Sequence, residues 1–133
     1  MIFRSTMLTW LAVSLLAISV FAGNVVQASS GHSLVRHFVA LKFKETTSKE
    51  QIHEVEEAFQ SLKSQIPQVV SIEWGPNISP EQRNKGFTDA FLVTFRTEKD
   101  RDAYLVHPAH LKFKEKALPL VADVLVLDFC DKQ

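Results

Sequence analysis

VRHFVALKFK, residues 35–44, alternates in the manner of a β-strand. Val35, His37, Val39, Leu41 and Phe43 share one face, and Arg36, Phe38, Ala40, Lys42 and Lys44 share the other. The first face is apolar except for His37. The second is apolar in its middle, at Phe38 and Ala40. A strand buried on both faces needs a layer on each side, and one layer of helices supplies only one of them. The remaining face calls for other cover, which a second subunit can provide.

Downstream, Ser48 with Gln51 three residues later forms a capping-box pattern that satisfies free amides at a helix start. Ile52, Val55, Phe59, Leu62 and Ile66 then recur at steps of three and four, one stripe of an amphipathic helix, and Pro67 stops it. Residues 69–75, VVSIEWG, read as a short strand with Val70, Ile72 and Trp74 on one side. The polar stretch 76–86, PNISPEQRNKG, is a loop. Its Asn77-Ile78-Ser79 matches a glycosylation sequon, which carries meaning only in a eukaryotic secretory host. FTDAFLVTFR, 87–96, is a third strand, with Asp89, Phe91, Val93 and Phe95 on one face. Thr97 and Asp100 cap a short helix running to about Val106. His107-Pro108 breaks it, because proline disfavours helical geometry in the residue before it. Pro108 suits the first turn of a further helix ending near Pro119, and DVLVLDF, 123–129, is the last strand. The order β-α-β-β-α-β, connected right-handedly, gives an α+β ferredoxin-like domain: a four-stranded antiparallel sheet with its helices on one face.

The N-terminus is of another kind. Residues 1–28 hold one charge, Arg4, followed by an uncharged run from Met7 to Ala22 and small residues at Val26 and Ala28. These are the parts of a cleaved secretory signal peptide, and the run is shorter than the ~20 residues of a membrane-spanning helix. A retained membrane anchor is the alternative. No cysteine stands near the cleavage region, so a bacterial lipoprotein anchor is excluded. The expected organisation is a signal peptide at 1–28, a lead-in at 29–34 and one domain at 35–131, secreted or periplasmic, with no membrane association after cleavage.

The chain has 133 residues, 46% of them hydrophobic and 23% charged, a globular composition of single-domain length. Its 15 basic and 15 acidic residues cancel, which argues against nucleic acid as a partner. A single cysteine, Cys130, excludes an internal disulfide; it reads as a small buried hydrophobe at a strand end, with pairing to another chain as the alternative.

VRHFVALKFK, the segment SIEWGPNISPEQRNKGFTDAFLVTF, and above all DAYLVHPAHLKF followed by DVLVLDF resemble the stress-responsive α/β-barrel (Dabb) family over residues 34–129. The resemblance implies that two ferredoxin-like sheets pair face to face in a homodimer, a dimeric α+β barrel. That would cover the second face of the first strand. Many members have no assigned chemistry, and some plant members are stress-induced. One plant member performs an aldol-type cyclisation of a polyketide thioester without metal or cofactor. Related dimeric barrels include haem-degrading and quinol-type monooxygenases, but no axial-ligand pattern stands out here. Fold alone therefore does not choose a function.

The resemblance places Tyr104 and His110 at the positions of the plant enzyme's carbonyl-holding tyrosine and its histidine base. A phenol can donate to a developing oxyanion, and imidazole titrates near neutral pH. The alternative for His107 and His110 is structural, one capping the following helix and the other bonding backbone. Asp89 stands where the plant enzyme has a pocket histidine, which puts the same substrate in doubt. His37 and Asp89 are expected to face each other across adjacent strands and, with His107, to line a ligand site. His32 and His53 read as solvated. The H-x-x-H spacing of His107 and His110 lacks an evident third ligand, so no metal is expected, and no cofactor either.

Three functions follow: a secreted dimeric barrel binding a small apolar ligand, a cofactor-free lyase or cyclase using Tyr104 and His110, and a monooxygenase. A pocket of ~300 Å³ or more reaching both Tyr104 and His110 favours the second, and a packed interior the first. Secretion weighs toward the first, because coenzyme A thioesters are cytosolic.

Overall fold

The computed structural model describes residues 33–131, so the signal-peptide reading and His32 lie outside the described residues. Among those described, the order is β1 (Val35–Phe43), α1 (Lys49–Gln65), β2 (Ser71–Pro76), β3 (Asp89–Phe95), α2 (Glu98–Leu105), α3 (Pro108–Ala117), a 3-10 turn (Leu118–Leu120) and β4 (Val121–Cys130). The strands form one antiparallel sheet in the order β2-β3-β1-β4, and the ferredoxin-like reading holds.

Each helix starts where a side chain satisfies its free amides. Ser48 and Gln51 form the reciprocal capping box of α1. Thr97 accepts from the Asp100 amide at the start of α2. His107, held extended ahead of Pro108, accepts from the Ala109 amide at the start of α3. The Leu118–Leu120 turn was not legible. Pro119 signals the end of α3, and its fixed φ also suits the 3-10 turn in which it sits.

The helix-facing side of the sheet carries the core. Val55, Phe59, Leu62 and Ile66 pack on Val39, Phe91, Val93 and Phe95, with Phe59 stacked on Phe91 at 4.0 Å between ring centroids. Each such side chain contributes ~1.5–3 kcal/mol on burial. Phe91 and Val93 therefore belong to the core of the protomer. The opposite face is open. Leu125 (40%), Leu127 (54%) and Phe129 (50%) remain exposed there, beside Phe38, Ala40 and Leu92. Cys130 is free and exposed, because β4 is an edge strand and covers little of its own surface.

Candidate functional site

α1 packs on the β2–β3 side of the sheet through Phe59 and Phe91, α2 packs on β1 and β3, and α2 meets α3 at the His107-Pro108 bend. A cavity of about 250 Å³ opens beneath them. Its floor is His37, Val39 and Leu41 of β1 with Val124, Val126 and Asp128 of β4. Tyr104 and Leu105 of α2 and His110, Phe113, Lys114 and Ala117 of α3 form most of the walls, with Phe59, Leu118 and Val121 at their edges. The lining is mainly apolar. The volume reaches both Tyr104 and His110 but falls short of the ~300 Å³ usual for a drug-sized ligand, so the space suits a compact molecule.

The bend that separates α2 from α3 also fixes His110. Leu105 ends α2 with a free carbonyl, and the His110 Nδ1–H donates to it at 3.1 Å. In the neutral ring this leaves Nε2 with its lone pair free. Burial holds His110 below the usual imidazole range, and the positive charge of Lys114 pushes the same way. The Leu105 hydrogen bond opposes them. His110 is thus a neutral base near pH 7, and the structural and catalytic readings of the ring coexist.

Tyr104 is fully buried one turn before the bend, its ring centroid 4.3 Å from that of His110 and 5.8 Å from that of His37. Burial raises its phenol well above the usual value, so it stays protonated. Among the described residues its hydroxyl has no hydrogen-bond partner. A buried polar group without a partner costs free energy, and a catalytic role is one explanation for such an exception.

The expected His37–Asp89 pair does not form. The register places His37 opposite Val93, and Asp89 opposite Leu41, four residues further along β1. Asp89 instead accepts from Thr88 Oγ1 at 2.7 Å and lies beside Glu56 of α1, outside the wall of this cavity. The partner of His37 is Asp128, directly opposite on β4, with Nδ1 2.6 Å from Oδ1. Arg101 of α2 holds the other oxygen of Asp128 and reaches Asp102 at 2.7 Å. Asp128 does not follow from the β1–β3 pairing alone, because β1 is a central strand with β4 as its second neighbour. The available signal was a lone acid in the alternation Val124, Val126, Asp128. His107 caps α3 and does not line the cavity. Among the described residues no cluster of three or more His, Cys, Asp or Glu side chains is arranged to hold a metal.

Residues 35–131 match the family model of the stress responsive A/B barrel domain. The chain belongs to that family. A stress-response A/B barrel domain-containing protein of Arabidopsis thaliana is 35% identical over 71% of this chain and 83% of its own length. The olivetolic acid cyclase of Cannabis sativa is 26% identical over 74% of this chain and 98% of its own. Among solved structures of this fold, the hydroxynitrile lyase from Passiflora edulis superposes with a TM-score of 0.72 at 27% identity, covering 77% of this chain and 96% of that one. A dimeric ferredoxin-like protein from Jannaschia gives 0.64 at 26% identity, covering 72% and 97%. The chain is thus similar to a protein named as a cyclase, to one named as a lyase, and to a solved structure described as dimeric.

Proposed function

We propose that this barrel domain is a cofactor-free acid–base catalyst of the lyase or cyclase type, acting on a compact, mostly apolar carbonyl compound. His110 Nε2 removes a proton from the carbon next to the carbonyl. The Tyr104 hydroxyl donates to the oxygen as negative charge develops on it, and the imidazolium then returns the proton. The observation that carries this reading is the Tyr104 hydroxyl, buried without a partner beside a base whose own free nitrogen is fixed by Leu105. His37, oriented by Asp128, adds a second polar group to the same wall. The relatives named as a cyclase and a lyase support the same class of chemistry.

The test is deuterium exchange at the carbon next to the carbonyl of 4-phenyl-2-butanone, followed by proton NMR in D₂O. Exchange above the buffer rate that His110→Ala abolishes supports the reading. Exchange at the buffer rate for this ketone and for other compact apolar ketones would leave ligand capture, which the apolar lining also supports.

Two wider features belong to the proposal. The chain works as a homodimer through the open sheet face, whose exposed leucines and phenylalanine need cover. It acts outside the cytosol, secreted or periplasmic, after cleavage near Ser29; the supporting signal is Arg4 followed by the uncharged run to Ala22. N-terminal sequencing of the exported protein tests that point, and a retained Met1 on a membrane-bound form would count against it.

A further inference from the structure

The charges around the cavity do not balance. Asp128, its one acidic wall residue among the described residues, is engaged twice, by His37 and by Arg101. Lys114, its one lysine, has no hydrogen-bond or ion-pair partner among the described residues. The neighbouring lysines of α3 do not share this position: Lys112 and Lys116 line a different groove, and Lys116 pairs with Glu54 at 3.3 Å. Helical geometry puts Lys114 one turn beyond His110 and one turn before Leu118, on the same side of α3. Along that line burial falls from His110, 8% exposed, to Leu118, 49% exposed. Lys114 is itself exposed, so it stands between the buried base and the rim. A lysine there keeps its ammonium hydrated until an anion replaces the water.

We propose that Lys114 is the recognition site for a carboxylate, and that the cavity takes a small monocarboxylic acid whose apolar body lies against Phe113, Val124 and Val126. The proposal deepens the acid–base reading of the same cavity by naming the substrate class. A dry cavity of ~150 Å³ accepts benzene, so about 250 Å³ accommodates one ring with a short chain. The carboxylate then stays near the rim beside Lys114, while the carbonyl-bearing end reaches Tyr104 and His110. A neutral compound of the same shape fills the apolar space but leaves the ammonium without its counter-charge. The cavity therefore separates acids from their amides or esters by charge.

The experiment is titration calorimetry of the purified protein with 3-phenylpropanoate and with 3-phenylpropanamide, which share one apolar body and differ in charge. Neither has a ketone for the base to act on, so binding is read apart from turnover. The acid is expected to bind roughly tenfold more tightly than the amide at low salt, with the preference shrinking as salt rises. Lys114→Met removes the preference by weakening the acid alone, and Lys114→Arg keeps most of it. Equal affinity for acid and amide, a preference that survives Lys114→Met, or no binding of either probe at millimolar concentration would each overturn the proposal. Lys114-dependent acid binding without any ketone exchange removes the catalytic reading only. Exchange without an acid preference removes only the role of Lys114.

Discussion

Nδ1 of His37 lies 2.6 Å from Oδ1 of Asp128, at directly paired positions of the adjacent strands β1 and β4. Because a carboxylate only accepts, this contact fixes the proton on Nδ1 and the plane of the ring. Asp128→Asn is therefore expected to change the tautomer balance of His37, read from its ring nitrogen shifts by NMR. Asp89→Asn leaves those shifts unaltered, since Asp89 faces Leu41. The reverse pattern would mean that the β1–β3 register is wrong.

Strand, helix and cap positions were legible because they depend on local chemistry. The Ser48 box, the Thr97 cap and the alternation of β1 each need only a few neighbouring residues. The His37 partner was not legible in the same way. It depends on which two strands flank β1 and on the register of each, and both are set by packing across the whole sheet. The open face shows the same limit. Alternation divided Phe91 and Val93 from Leu92, but only the helix layer shows that Phe91 and Val93 face inward. Tyr104 and His110 stand out through family resemblance, while the free state of the Tyr104 hydroxyl and the His110–Leu105 bond depend on how the bend between α2 and α3 packs on the sheet.

The pH dependence of exchange follows from His110 and Tyr104. Burial lowers the pKa of His110 from its ordinary 6.5, so the base is neutral above that pH and is lost as pH falls through its depressed value. The acid limb of the rate should lie below pH 6.5. The raised phenol of Tyr104 predicts no loss from its ionisation below pH 10. A rate profile measured from pH 4 to 10 checks both, and an acid limb above 6.5 would contradict the neutral-base assignment.

Glu56 makes a prediction of opposite sign for stability. Burial, and then the carboxyl of Asp89, raise its pKa above 4.5, while His53 opposes the shift. The folded protein holds this proton to a higher pH than the unfolded chain does. The contribution is therefore present below pH 4.5 and is lost as pH rises through the folded value. Glu56→Gln should flatten that part of the curve, measured by urea unfolding between pH 4 and 7. An unchanged slope would exclude Glu56 as its source.

Leu127 faces away from the helices and is 54% exposed in the protomer. Leu127→Lys is thus expected to leave the protomer folded and to shift sedimentation from twice the chain mass to the single chain. Phe91→Lys, placed in the core, should instead cost at least ~3 kcal/mol and prevent folding. A Leu127→Lys variant that remains a full dimer would place the subunit contact elsewhere.

The most direct measurement is Tyr104→Phe, read by ketone exchange and by melting temperature on the same preparation. A residue kept for structure loses stability when its polar group is removed. A hydroxyl buried without a partner has no such contact to lose, so its removal should leave the melting temperature unchanged or raise it by a few degrees. His110→Ala is less informative, because it also strips the Leu105 carbonyl of its donor. A catalytic role for the hydroxyl predicts exchange reduced at least tenfold in Tyr104→Phe, with stability equal to or above that of the parent. Full exchange activity, or a melting temperature lowered by several degrees, would contradict it.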